Sequence, residues 1–306
     1  MTDGGRAGRR IGYAATVLGV LGFSAKAIFT KLAYPYGVDP ITLMTLRSLV
    51  AVPVLWLLLL ISREPGLPLG RGGWLRMAWA GFASYYLASF LDFYGLQTVT
   101  AILERILLFL YPCFVVLLGA LFARRRLRAA TWFSMGLAYG GVVVTLAAGG
   151  REQFQGEWLG LALILAAALI FATYYLTAGD LVRRLATVRF STYLMSIAGG
   201  ATLAHFLATR PGHLLLDQSW PVYAHAVGLG LVSTVLPILL IAEGLRRIDT
   251  DSSAAINLLG PVFTVGMAYA FLGESMRPWQ WLGFAMALAG VFLLGRSFRP
   301  GHAADR

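Results

Sequence analysis

Ten stretches of about twenty mostly apolar residues, joined by short polar turns, run through this chain of 306 residues, and few folds accommodate that pattern. A helix needs roughly 20 apolar residues to cross a hydrocarbon layer about 30 Å thick. The candidate spans cover 12–33, 40–61, 75–96, 99–122, 130–148, 158–178, 190–209, 222–244, 252–272 and 279–296. Turns such as Arg63-Glu64-Pro65-Gly66 and Arg151-Glu152-Gln153 join them, and no connection is long enough for a soluble domain. Only 13% of residues are charged, against about 25% in a soluble domain. Lipid requires no polar shell, so the expected class is an all-α integral membrane protein with ten transmembrane helices. The 35 glycines suit close helix packing. The single cysteine, Cys113, lies in an apolar run, which excludes an intrachain disulfide and a Cys-cluster metal site. No metal, cofactor or catalytic group is expected.

A net charge of +11 would suggest nucleic acid in a soluble protein. Here the positions of the cations argue for a bilayer and no nucleic acid. With the N-terminus inside, eighteen Lys and Arg residues fall on inner segments, among them Arg124, Arg125, Arg126 and Arg128. Only Lys31, Arg151, Arg210 and Arg277 fall on outer turns. Cytoplasmic segments carry the excess of Lys and Arg, so both termini are expected in the cytoplasm of a bacterial cell with the chain in its inner membrane. The first apolar run is long, contains Lys26 and lacks a convincing cleavage site. It reads as a retained helix rather than a secretion signal.

The halves are related at one fixed spacing. Gly95-Leu96 matches Gly244-Leu245, Tyr111-Pro112-Cys113-Phe114 matches Gly260-Pro261-Val262-Phe263, Trp132 matches Trp281, and Gly141 matches Gly290, each 149 residues apart. Five spans per half is an odd number, so equivalent helices cross in opposite directions. Such inverted repeats, expected at 10–148 and 158–298, place a substrate site near the midplane where they meet. Duplication also yields membrane scaffolds that transport nothing.

The stretch Phe23 to Lys31, then Gly37-Val38-Asp39-Pro40 and Arg47, resembles the opening of an EamA-type unit of the drug/metabolite transporter superfamily. Leu110-Tyr111-Pro112 through Leu127, and Leu272-Gly273-Glu274 with Trp281-Leu282-Gly283 and Gly290, resemble its closing signature, once per half. The family usually has an acidic residue where the first half has Arg125, whereas the second half keeps Glu274. The resemblance implies a ten-helix exporter of amino acids, related metabolites or drugs, without a nucleotide-hydrolysing subunit.

Charges near the centre of a bilayer cost at least about 2.5–3.5 kcal/mol each. Lys26, Arg47, Asp92, Glu104 and Arg105 all fall within spans, in the outward half of the first repeat. Three cations against two carboxylates leave one positive charge that a substrate carboxylate can neutralise, or Asp92 or Glu104 can carry a coupling proton. Static bridges, Asp92 to Arg47 or Lys26, are the alternative, and Glu104 and Arg105 point about 100° apart on a helix. Tyr85, Ser89 and Asp92 recur at i, i+4 and i+7, on one helix face, with Tyr86 and Phe93 beside them. With Lys26 and Asn257 from the second half, these form the expected substrate site. Pro112 and Pro261 occupy equivalent mid-helix places and read as hinges. Glu243 beside Arg246 and Arg247 reads as an interfacial ion pair, His205 as hydrogen-bonded structure, and Gly136 with Gly140 as a close-packing face compatible with a homodimer.

The expected function is secondary export of amino acids or related small polar metabolites by alternating access, with proton coupling or facilitation. A membrane enzyme lacks support: there is no His-Glu-x-x-His, paired intramembrane Asp motif, Ser–His pairing or phosphate loop. A sensor or scaffold remains open, as does an antiporter of organic phosphates or nucleotide sugars. The latter would favour cations in both halves, yet the second half has no intramembrane Lys or Arg. Broad drug efflux would favour a cavity without Lys26.

Overall fold

The computed structural model describes residues 3–62, 69–124, 126–149 and 157–297. Arg63-Glu64-Pro65-Gly66, Arg125, Arg151-Glu152-Gln153, Arg299 and Arg306 lie outside the described residues. Among those described, all regular structure is helical and there is no strand.

The chain opens with α1 (Asp3–Ser24) and α2 (Lys26–Ala33), separated by a break at Ala25. Gly37 then takes a left-handed backbone (φ 81°), which glycine adopts without steric cost. Asp39 caps α3 (Pro40–Ser62), its carboxylate accepting from the Ile41 amide at 3.2 Å and the Thr42 hydroxyl. The Gly37-to-Pro40 motif is therefore a turn followed by a helix cap. α4 (Arg71–Gly81), a π-helical turn at Phe82–Ala88 and α5 (Ser89–Gly95) form one rod, followed by α6 (Ala101–Leu108), α7 (Tyr111–Phe122) and α8 (Ala129–Gly149). The second half comprises α9 (Trp158–Arg184), α10 (Thr187–Thr209), α11 (Trp220–Gly230), a π turn at Leu231–Val235, and α12 (Leu236–Leu245). Then come α13 (Thr250–Asn257), α14 (Leu259–Met267), a π turn at Ala268–Leu272, and α15 (Pro278–Ser297).

Eight of these helical runs are long and apolar enough to cross a membrane. The expected spans at 75–96 and 190–209 also fall on helices, but on more polar ones. The first carries Arg76 and Asp92, and the second carries His205 with several Ser, Thr and Gly. Leu60, Leu75, Phe122, Leu159 and Trp279 point outward, as a lipid-facing surface requires.

Several structural features recur at the 149-residue spacing. The π turns begin at Phe82 and Leu231, helix breaks fall at Phe109 and Leu258, and left-handed residues occur at Arg124 (φ 49°) and Gly273 (φ 66°). Thr100 caps α6 and Asp249 caps α13, each accepting an amide three residues on. The Ser252 amide and hydroxyl bound to Asp249 hold its carboxyl below the usual carboxylate range.

α8 and α15 pack along each other, α1 lies against α12 and α5 against α9. The α8–α15 contact is backbone to backbone: a methyl added at Gly141 would strike Gly283 and Ala287, and one at Gly290 would strike Ser134 and Ala138. Gly136 and Gly140, expected as a close-packing or dimer face, make no such contact within the chain. Gly136 faces open space, and the nearest atom to a methyl at Gly140 is the Met286 tip at 3.9 Å. The small-residue spacing was right for the helix but one position out for the face. α6 lies in the largest core cluster, with α2, α8, α14 and α15 contributing to its walls.

Candidate functional site

Lys26 starts α2 at the break after α1, where its side chain can turn toward the end of α5 and the first turns of α6. Its Nζ donates to Asp92 Oδ2 at 2.5 Å and to Glu104 Oε1 at 3.1 Å. Glu104 Oε2 lies 3.8 Å from Arg105 Nε. Both carboxylates are buried, 2% and 0% exposed, whereas Lys26 and Arg105 keep 20% and 15%. The cluster thus has a partly open cationic side over a closed acidic floor. Asp92 Oδ1, Glu104 Oε2, and Arg105 Nε and Nη2 are buried without a hydrogen-bond partner. Such atoms cost about 1–3 kcal/mol each when left unmet, so the cluster is poised for a further polar partner.

The structure changes the expected charge balance. Arg47 is 2% exposed but does not join the cluster. Its guanidinium donates to the Tyr85 carbonyl at 3.3 Å and sits 5.2 Å from the Phe93 ring centroid. Among the described residues it has no ion pair. The cluster is two cations with two carboxylates, and the third cation is held by a carbonyl and a ring face. Conversely, Glu104 and Arg105, separated by about 100° on their helix, still meet, because the guanidinium reaches back to its neighbour.

The Tyr85, Ser89, Asp92 face also changes. The π turn at Phe82–Ala88 adds about one residue per turn, so Tyr85 is rotated relative to Ser89 and Asp92, which both lie on α5 and keep the 3.6-residue period. Tyr85 packs among Met77, Leu181 and Leu194. Ser89 donates to the Ser84 carbonyl at 3.4 Å. The Tyr86 hydroxyl meets His205 Nδ1 at 3.2 Å, which also accounts for His205. Asn257 ends α13 exposed, and its side chain has no hydrogen bond among the described residues. Of the expected substrate residues, Lys26 and Asp92 are therefore brought together, with Glu104 and Arg105 beside them. Among the described residues, no hydrogen bond or ion pair joins Tyr85, Tyr86, Ser89 or Asn257 to that group.

Pro112 and Pro261 are not mid-helix. Each stands in the first turn of a new helix, just after the breaks at Phe109–Leu110 and Leu258. There the missing amide leaves no bond unmade. Glu243 pairs with Arg246 and Arg247 at the end of α12.

Three features escaped sequence reasoning. Tyr111 stacks on Tyr175 (4.9 Å, 14°), and Phe171 and Tyr174 join them between α7 and α9. Lys31, counted as an outer-turn cation, donates to the Leu96 and Val99 carbonyls at the end of α5. Glu274 accepts from the Ala101 and Ile102 amides at 2.9 and 3.0 Å, closing the start of α6 from the other half. Only the position of Glu274 in the closing signature offered a signal. Among the described residues, no three His, Cys, Asp or Glu side chains converge as a metal site would need.

A multi-helix bundle with buried ion pairs in its apolar interior is the build of a membrane transporter. Comparison with known sequences places the chain within that class: residues 10–147 and 158–296 match the EamA-like transporter family, and the chain belongs to it. "Uncharacterized transporter YcbK" of Bacillus subtilis is 32% identical over 91% of this chain and 89% of its own length. The "S-adenosylmethionine/S-adenosylhomocysteine transporter" of Chlamydia trachomatis serovar L2 is 29% identical over 84% of this chain and 81% of its own. The "Probable terminal-alkyne amino-acid exporter" of Streptantibioticus cattleyicolor is 28% identical over 66% and 67%. One solved crystal structure, 20% identical, superposes with a TM-score of 0.65 over 94% of this chain and 98% of that one, which shows the shared fold.

Proposed function

We propose that this chain is a secondary transporter that exports amino acids or related small polar metabolites across the bacterial cytoplasmic membrane by alternating access. In this reading ten helices cross the bilayer as two five-helix repeats of inverted topology, 10–148 and 158–298, with both termini cytoplasmic. The recurrence of π turns, caps, helix breaks and left-handed residues at one spacing supports the repeat. The Arg-rich ends assigned to the cytoplasm support the orientation.

The observation that carries the functional reading is the Lys26, Asp92, Glu104 and Arg105 cluster with its four buried polar atoms that lack a hydrogen bond. It presents both signs of charge, as a zwitterion requires: an ammonium meets Asp92 and Glu104, and a carboxylate meets Lys26 and Arg105. Two of the relatives are named for substrates with an α-amino-acid group, a "Probable terminal-alkyne amino-acid exporter" and an "S-adenosylmethionine/S-adenosylhomocysteine transporter", which favours the same ligand chemistry. Burial disfavours two adjacent carboxylates both charged, so one of them can take a proton when Lys26 turns to a substrate. That exchange would couple transport to protons.

The test is flux into liposomes loaded with purified protein, using labelled amino acids and their derivatives. Asp92→Asn and Lys26→Met are expected to lower uptake of an accepted substrate by about a hundredfold, the loss of roughly 3 kcal/mol of paired charge. Wild-type flux in both variants would remove the cluster from the mechanism. No flux for any compound tested with folded wild-type protein would favour a sensor or scaffold.

A further inference from the structure

Away from the ion cluster, two grooves open at places related by the 149-residue spacing. The first, about 760 Å³, lies between the end of α7 and the start of α8. The second, about 360 Å³, lies between the end of α14 and the start of α15. At the 149-residue spacing, Leu117 of the first answers to Gly266 of the second, Arg126 to Ser275, Leu127 to Met276 and Trp132 to Trp281.

Their linings differ where charge is concerned. In the first groove Leu117, Leu121 and Leu127 form an apolar wall that ends at Arg124 and Arg126, with Trp132 beside them, 57% exposed. Neither arginine side chain has an ion pair or hydrogen bond among the described residues. Arg124 holds a left-handed backbone (φ 49°) at the position where the other half has Gly273. A side chain at such a position is kept against the preference for glycine. The second groove has no cation among its lining residues, and Glu274, on its wall, is engaged by α6.

We propose that the first groove is a binding site for an anionic phospholipid. One acyl chain lies along Leu117, Leu121 and Leu127, and the phosphate lies between Arg124 and Arg126. Trp132 sits at headgroup depth, where indole rings are favoured. Basic pockets between helices at a membrane surface take such headgroups. The apolar wall requires a ligand with a hydrocarbon tail, which a free phosphate lacks. This inference rests on the chain lying in a bilayer and not on what the ion cluster carries.

The test uses wild-type protein in phosphatidylcholine vesicles containing either dibrominated phosphatidylcholine or dibrominated phosphatidylglycerol at equal bromine content. The signals of Trp132 and Trp281 are isolated by subtracting the fluorescence of Trp132→Phe and Trp281→Phe. Trp132 is expected to show on the order of tenfold preference for the brominated phosphatidylglycerol, as two nearby arginines provide. The preference should persist in the R124K/R126K double variant, vanish in R124Q/R126Q, and survive millimolar inorganic phosphate. Equal quenching of wild-type Trp132 by the two lipids would overturn the proposal without any arginine variant. So would an equal preference at Trp281, which would mark general enrichment of anionic lipid. Displacement by inorganic phosphate would assign the arginine pair to a soluble anion instead.

Discussion

Lys26 is the residue on which the buried charges depend. It bonds both Asp92 and Glu104. Replacing Lys26 by Met would leave two buried carboxylates facing each other, with Arg105 against only one of them. The expected cost is about 3 kcal/mol, read as a lower unfolding midpoint in detergent. Adding Asp92→Asn to that variant should restore part of the loss, because an amide carries no charge to strand. A double variant no more stable than Lys26→Met would show that the pair is not what holds this region. The charged group was legible in the sequence because ionised side chains stand out in apolar runs. Its membership was not. Arg47 lies at the same depth as Lys26 when residues are counted along the helix, and only the packing of Phe93 and Tyr85 turns it away.

The limits of the helices were also legible, since apolar length and flanking arginines mark them. The π turns were not. Phe82–Ala88 has the composition of ordinary membrane helix, and the extra residue per turn leaves no compositional mark, so Tyr85 leaves the face of Ser89 and Asp92 without warning. The α8–α15 contact gives a prediction at this scale. Gly141→Ala and Gly290→Ala should each destabilise by about 1–3 kcal/mol, because the added methyl meets a rigid neighbouring backbone. Gly136→Ala meets nothing within 4 Å and should be neutral, or stabilising by up to about 1 kcal/mol through helix propensity. Thermal unfolding of the three variants side by side checks this, and a Gly136 effect as large as that of Gly141 would refute it.

For the whole molecule, the internal match at 149 residues made the relation between the halves legible, but not the contacts by which they hold each other. Glu274 stands near a helix end, where a lone carboxylate reads as solvated, yet both of its oxygens accept amides at the start of α6. Glu274→Ala leaves those amides unmet and is expected to lower stability by about 1–2 kcal/mol. Glu274→Gln keeps one acceptor oxygen and should recover about half of that. Unchanged unfolding in the alanine variant would mean that the clasp contributes nothing.

The interlock of Gly141 with Gly283, and of Gly290 with Ser134 and Ala138, has a consequence for assembly. A notch cut to admit a foreign backbone is a flaw in any surface that must stand alone. A fragment ending at 149 would carry one such bare flank through insertion, and a fragment starting at 157 would carry its counterpart. The backbone contact between these flanks forms only when α8 and α15 are both present.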